Sequence, residues 1–565
     1  MLKRILILFA LLALPLSAQA QVMVSDDDVE SGEDVTWTTD NTYVLTEFVY
    51  VEQDASLTIE PGTVIKGQPG AGDDASALII AQDGQVFAEG TPTNPIIFTS
   101  TADADAFDDV EQERGEWGGV LILGNAPITV EGGDEANVEG IPASEPRGVY
   151  GGSDPTDDSG VFRYVSIRNG GSPIGANNEI NGLTMGGVGT GTTIEFVEVY
   201  NNLDDCFEWF GGTVNTKHLV GGFCGDDTFD YDQGFRGKGQ FWFGLMDEDA
   251  GNRSGEHDGG QPDGNTPTSI PTVYNATYIG SGSESSQSEN DLAFFFRDNA
   301  GGKYYNSVFT DYFNRGIQIE DLDGGADSRE RLAEGDLELQ NNIWYDFGAG
   351  NAISAWAADY TDDDGSTVSQ QFVRDYLSAS ANANYVESPE LRGISRDQDG
   401  GLDPRPSSGS PALANDRQSY PDGDDFFREV DYLGAFGSGQ SNWAADWTFL
   451  GASGVLTSAG ATNPKGTAIQ PTPGAPVPQE VALEGNFPNP VRSQTTIAFG
   501  LDETKHVRLA VYDVMGRRVA TLVDAVKPAG EYEAQFDATG LAAGTYLIRL
   551  RAGTGAATET MTLVE

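Results

Sequence analysis

The sequence predicts an all-β chain, a right-handed parallel β-helix followed by a small β-sandwich, and three observations carry that expectation. From about residue 50 short apolar runs alternate with polar residues and are broken by Gly, Asn and Asp, with no long amphipathic helix. Several of these runs recur 22 residues apart. Beyond a Pro-rich interruption, residues 481–565 hold six or seven further alternating runs.

The repeats set the architecture. Leu57-Thr-Ile59-Glu-Pro-Gly62 aligns with Ile79-Ile-Ala81-Gln-Asp-Gly84, and Asp204-Asp205-Cys206-Phe207-Glu208-Trp209 with Asp226-Asp227-Thr228-Phe229-Asp230-Tyr231, both at an offset of 22. A third pattern places Asn before a strand, at Tyr274-Asn275, Tyr305-Asn306 and Gln340-Asn341. A short repeat of strands cannot bury its apolar face alone, so neighbouring coils must stack into one core. Asn at equivalent turns can then form hydrogen-bonded ladders between coils. A propeller needs a longer, more regular blade, and an antiparallel sandwich does not repeat at this spacing.

The chain divides into an export signal (1–20), a β-helix domain (21–455), a Pro/Gly/Thr-rich linker (456–480) and a β-sandwich (481–565). Lys3 and Arg4 precede the apolar run Ile5 to Leu16, and Ala18-Gln19-Ala20 is the small-residue cleavage site. The run is too short to span a bilayer, which takes roughly 20 residues, and no transmembrane anchor is expected elsewhere. Cleavage leaves Gln21 first, which is not a lipoprotein cysteine. Pro471-Thr-Pro473 and Pro476-Val-Pro478 mark the semi-extended linker.

With 88 acidic against 31 basic residues and a net charge of -57, the chain lacks the basic surface that nucleic-acid binding needs. Such a surface suits a high-salt or Ca2+-rich exterior. Cys206 and Cys224 are consistent with an oxidising compartment. They lie 18 residues apart, four short of the local repeat, so direct stacking is not expected. Four strand residues cover about 13 Å against a limit of about 7 Å between bonded Cα atoms, unless Gly221-Gly222 and Gly225 let the chain turn back. The disulfide stays open on this reading.

Two stretches carry family resemblances. Asn486-Phe487-Pro488-Asn489-Pro490, Val511-Tyr512-Asp513-Val514-Met515-Gly516 and Gly540-Leu541-Ala-Ala-Gly544-Thr545-Tyr546 resemble, in order, the C-terminal sorting domain of type IX secretion cargo. That resemblance implies recognition by an outer-membrane translocon, then removal of the domain or attachment to surface glycolipid. Such domains often end in Lys or Arg, whereas this chain ends Leu563-Val564-Glu565. The stretch Gly90-Thr-Pro-Thr-Asn-Pro-Ile-Ile-Phe-Thr99 with Trp117-Gly-Gly-Val120 resembles the opening coils of bacterial right-handed β-helices. With Asn178 to Thr184, Asp204 to Thr213, and Phe426 to Phe436 followed by Trp443 and Trp447, the main domain is similar to pectin-lyase-like bacterial surface proteins of unassigned activity. The resemblance implies the fold and a surface location, and no reaction.

Candidate chemistry concentrates in residues 204–238. Stacked coils lie about 4.8 Å apart, so Asp204, Asp205, Asp226, Asp227, Asp230 and Asp232 would repel unless protonated or bridged by a cation. Ca2+, which takes six to eight oxygens, suits them, and no organic cofactor is expected. The structural alternative is that these Asp side chains cap turns. Asp226 and Asp227 followed by Arg236-Gly-Lys238 resemble in composition the catalytic set of polygalacturonase-like hydrolases. The companion Gly-His-Gly is missing, since His218 sits in Lys217-His218-Leu219. Glu208, Trp209 and Trp242 are candidates for sugar stacking and binding, against the plainer role of core filling for the tryptophans. Glu256, His257 and Asp258 fall in residues 246–270, read as a long loop walling a binding face. Asp321-Leu-Asp323-Gly324 and Asp397-Gln-Asp399-Gly400 resemble fragments of Ca2+ loops without the distal Glu of the complete motif. The leading expectation is a non-enzymatic exported protein binding glycans or surface components, including polysaccharide. The alternative is a lyase or hydrolase acting on acidic glycans, which the negative charge of the chain would repel.

Overall fold

The structure, a computed structural model, describes residues 20–457, 478 and 481–564, apart from 104–112, 176–177, 284, 286–289, 323, 363–364, 415–416, 422, 440, 493, 503–504, 514–517, 539–543 and 553–554. The expected export signal (1–20) except Ala20, most of the expected linker, Asp323 and parts of the second and third sorting motifs lie outside the described residues.

The main domain winds as a parallel β-helix with three sheets. The first face runs from Asp34–Trp37 to Leu337–Gln340, and the second from Ala20–Val24 to Ile343–Phe347. The third runs from Phe48–Val51 to Ile317–Ile319. In mid-helix, single long strands such as Thr193–Tyr200 and Asn215–Gly222 bend from the first face into the second. Among the described residues the first strand begins at Ala20, with Gln21 opposite Thr42.

The Asp204 repeat holds in register, with Phe207 opposite Phe229, Glu208 opposite Asp230 and Trp209 opposite Tyr231. The Leu57 repeat has the right period and the wrong frame. Leu57 stacks on Val35 in the first face, whereas Ile79 stacks on Tyr50 in the third. The two segments share an alternating pattern that any coil face satisfies, so similarity alone did not distinguish faces.

Side chains at alternate positions fill the interior. Trp209 stacks on Trp242 at 5.0 Å, Phe229 on Trp242 at 4.9 Å, and Phe207 on Phe229 at 5.4 Å. From Tyr164 onward the bend between first and second faces holds one left-handed residue per coil. Asn275, Asn306 and Asn341 take it with φ of 55–57°, and Asn275 and Asn306 donate to backbone carbonyls of Tyr432 and Ser419 where a ladder between coils was expected. In the preceding coils the same position holds Tyr164, Phe196, His218 and Phe241, with φ of 49–60°. Bulky residues pay about 1–3 kcal/mol each for this conformation, and here they stack on one another at 4.4, 4.1 and 4.9 Å.

A belt covers that aromatic stack. The coils end near Tyr385, and residues 391–457, expected as part of the β-helix, instead lie across its outside. Trp443 and Trp447 meet Phe196 edge-on, and Asn275 and Asn306 donate to the belt carbonyls of Tyr432 and Ser419, each at 2.9 Å. Buried Glu198 fastens the end of the belt by accepting the backbone N–H of Phe449 at 2.6 Å and of Leu450 at 3.0 Å, with Ser166 donating at 2.5 Å. Short helices, Ser328–Glu334, Ile353–Trp356 and Gln371–Ser378, pack over the C-terminal coils.

Residues 482–563 form antiparallel sheets of three and four strands around Ile497, Phe499, Val511, Ile548 and Leu550. This is the expected β-sandwich. No helix among the described residues is long and apolar enough to cross a membrane.

Candidate acidic cation site on the third face

Strand alternation decides which candidates face away from the interior of the coil. On the third face Phe207, Trp209, Phe229 and Tyr231 point inward, so Glu208, Asp230 and Asp232 point outward. Register then continues the outward row, with Tyr231 opposite His257 and Glu256 opposite Phe295.

The turn before each strand supplies the other carboxylates. Asp205 accepts the N–H of Asp227 at 2.8 Å, and Asp227 accepts the N–H of Arg253 at 2.5 Å, so each carboxylate ties its turn to the next coil. Two groups of carboxylates then converge. Oxygens of Asp204, Asp205 and Asp226 lie within 4.8 Å of one another, as do those of Asp205, Glu208 and Asp230, and Asp205 belongs to both. Of the six predicted metal ligands the structure therefore groups Asp204, Asp205, Asp226 and Asp230, and adds Glu208. Asp227 instead holds Arg253, and Asp232 accepts from the Gln233 N–H and from Gln261 Nε2, the latter at 2.7 Å.

Electrostatics mark the cluster as strained when fully ionised. Burial, then repulsion from Asp226, pushes Asp204 up to about 7. Burial raises Asp227 to about 8 even with Arg253 opposing it, and Asp232 to about 7. Asp205, Glu208 and Asp230 are pushed well above the usual carboxylate range, first by burial and then by neighbouring carboxylates. Two oxygens at the cluster are buried without a hydrogen-bond partner, Asp230 Oδ1 and Asn181 Oδ1. Asn181 is 2% exposed and donates its Nδ2 to Glu208. A buried acceptor without a donor costs about 1–3 kcal/mol, which a cation held by Asp230 would relieve at that carboxylate. An all-carboxylate donor set fits Ca2+.

Sequence reasoning missed the surroundings. The excursion 124–159 folds back over the early coils, placing Ile128, Val138, Ile141 and Tyr150 on Tyr50, Ile79 and Leu121. It carries Glu139, whose carboxyl is raised by burial and by Glu179, and both carboxylates add repulsion at Asp204. On the other side, Arg253 pairs with Glu256, and Arg297 with Glu256 at 2.7 Å and Asp258 at 2.8 Å. Both guanidinium groups lie over the Phe295 ring, at 5.3 and 5.9 Å. Arg253, Arg297 and Phe295 carry no motif, and only coil register brings them together.

Several expectations are corrected. Trp209, Trp242 and His257 are fully buried and cannot stack on a ligand. His257 lies between Tyr231 at 4.1 Å and Tyr304, whose hydroxyl is 2.9 Å from Nε2, and burial drives its pKa well below normal. Glu256 and His257 are not on a loop, because Arg253–His257 is a third-face strand, and Asp258 directly follows that strand. Arg236 and Lys238 do not join Asp226 and Asp227. Arg236 follows the third-face strand on the far turn and is exposed, and Lys238 is in the first face, bound to Asp424 of the belt at 2.6 Å. His218 is held in the aromatic stack, lowered to about 3 by burial and by Lys217. Asp399 accepts from Ser395 at 2.9 Å and from the Gly401 N–H at 2.7 Å, as a turn residue does. Cys206 and Cys224 are joined, with Cα atoms 5.6 Å apart. Residues 223–228 are a turn and not a strand, so the gap that spacing implied closes.

Three parallel sheets, an outward acidic row on the third and an antiparallel sandwich behind a linker define an exported β-helix protein. The family described as Pectate-lyase like beta helix domain matches residues 29–391, and the chain belongs to it. Residues 486–564 match the Secretion system C-terminal sorting domain, the type IX sorting module, which directs the protein to the cell surface or the extracellular space. No curated protein and no solved structure matches the chain.

Proposed function

We propose that the protein is a surface β-helix that binds carboxylate-bearing glycans across its third face, using Ca2+ held by Asp204, Asp205, Glu208, Asp226 and Asp230. The observation that carries this reading is the pair of carboxylate groups sharing Asp205, next to Arg253 and Arg297 over Phe295. A cation there lowers the repulsion that an acidic protein presents to an acidic polymer. The arginines and the aromatic face then offer contacts for a sugar carboxylate and ring. Asn181 and Asp205 orient the cation ligands. Processing after export, by removal of the sorting domain or attachment to surface glycolipid, would leave the β-helix outside the cell.

Binding is favoured over cleavage because Arg297 is held in its charged form, which can contact a carboxylate but cannot abstract a proton. Burial lowers the Arg297 pKa, but the hydrogen bond and charge of Asp258 outweigh it and hold the guanidinium above its ordinary value, so it does not serve as the deprotonated base of a lyase. Hydrolysis is the second reading, supported by Asp204 and Asp232, each raised to about 7 and so able to act as acids near neutrality. Titration of polygalacturonate and alginate into the purified protein, with Ca2+ or with EDTA, tests both. Ca2+-dependent binding that Arg297→Ala weakens about tenfold, without new reducing or unsaturated ends, is the expected result. Product release abolished by Asp232→Asn would establish hydrolysis, and absence of binding in both conditions would reject the glycan reading.

A further inference from the structure

Phe487 is 82% exposed, the most exposed large apolar side chain among the described residues. It ends the strand Ala482–Phe487, and Pro488, Asn489 and Pro490 after it are exposed as well. An aromatic left in water forgoes about 1.5–3 kcal/mol of burial. A mobile loop could tolerate that, but this turn is held from both sheets of the sandwich. Asn486 Nδ2 donates to the Thr495 hydroxyl at 3.0 Å, and that hydroxyl donates to the Pro488 carbonyl at 3.0 Å. Asn489 Nδ2 donates to the Thr560 carbonyl at 2.9 Å, and its Oδ1 accepts the Thr562 N–H at 3.0 Å. Thr495 belongs to the three-stranded sheet, and Thr560 and Thr562 to the four-stranded sheet. Residues 485–491 carry no charge in a chain of net charge -57.

We propose that the turn 486–490 is the docking epitope of the sorting domain, with Phe487 inserting into an apolar pocket of a protein component of the type IX secretion machinery. The inference rests on the sorting-domain assignment, whose matched segment opens at Asn486. A pre-ordered aromatic knob loses little entropy on docking, and buried aromatic anchors dominate protein interfaces. The absence of Lys or Arg in the turn argues for a protein pocket over an anionic lipid surface.

The test uses the full-length chain in cells that contain the type IX system. Phe487→Ala is expected to lower the exported fraction about tenfold or more, with folded protein accumulating in the periplasm and an unchanged melting temperature for the purified protein. Phe487→Trp is expected to restore export. A photo-crosslinking residue at position 487 provides a readout independent of folding and is expected to trap a translocon component. Normal export of Phe487→Ala, or a crosslink to lipid alone or to nothing, would overturn the proposal. Deletion of 486–565 is the control: if that chain is also exported, the sorting assignment fails, whereas export of Phe487→Ala alone rejects only the epitope.

Discussion

Asp204 shows how one carboxylate reports on its neighbours. Its pKa is raised to about 7, so the folded state takes up a proton that the unfolded chain, titrating near 4, has already released. The stability linked to that proton is present below pH 4 and is lost as pH rises through about 7; Asp232 and Asp227 extend the window to about 8. Without divalent cations, the melting temperature is therefore expected to fall between pH 5 and pH 8. Asp204→Asn should flatten the fall, as differential scanning fluorimetry in EDTA would record. Ca2+ competes with those protons, so calorimetry near pH 6.5 should detect proton release on Ca2+ binding. At 100 times its dissociation constant Ca2+ should add about 2.7 kcal/mol, beyond any shift from Na+ at equal ionic strength. Asp205→Asn should remove most of that gain, because Asp205 belongs to both carboxylate groups.

The belt and the turn ladder are elements whose sequences make sense only together. Where the left-handed position is Asn, the turn conformation is cheap; where it is Tyr, Phe or His, stacking and cover by Trp443 and Trp447 offset its cost. Glu198 is the fastening point, and buried Arg168 opposes the rise that burial imposes on its carboxyl. Glu198→Ala leaves Arg168 buried without that charge and should cost about 3–5 kcal/mol. Limited proteolysis should then cut within 391–457 earlier than in the parent chain. Reduction of Cys206–Cys224 opens a short loop beside the carboxylate turns and should cost about 3 kcal/mol. Thiol titration of the unfolded, unreduced protein should find no free thiol.

At the scale of the whole molecule, the sorting address and the candidate cation site reside in separate units. The β-helix buries its own core, and the sandwich has another around Ile497 and Ile548. Deleting 486–565 should hold the protein in the periplasm while the circular dichroism of its β-helix stays unchanged. Cell fractionation and spectra of the purified chain check both halves of that expectation.

The coiled architecture, the sorting module and the acidic stretch 204–232 were legible from sequence, because each depends on local pattern: a period of 22, ordered short motifs and adjacent Asp pairs. Alternation also placed Glu208 and Asp230 on the outer side of the sheet, away from the buried Trp209 and Tyr231, once the register was known. Which coil meets which was not legible, since insertions such as 124–159 change coil length without changing the pattern. Thus Leu57 and Ile79 looked equivalent although they lie on different faces, and Glu256 looked like a loop residue although it extends the acidic row. The pairing of Lys238 with Asp424, the cover over His218 and the gathering of Arg253, Arg297 and Phe295 join residues through nonlocal packing. Sequence by itself determined the fold class and the destination of this protein, because short-range periodicity and motif order are written along the chain. Only the tertiary structure decided which carboxylates share a site, because their convergence depends on coil register and on segments that return from far along the chain.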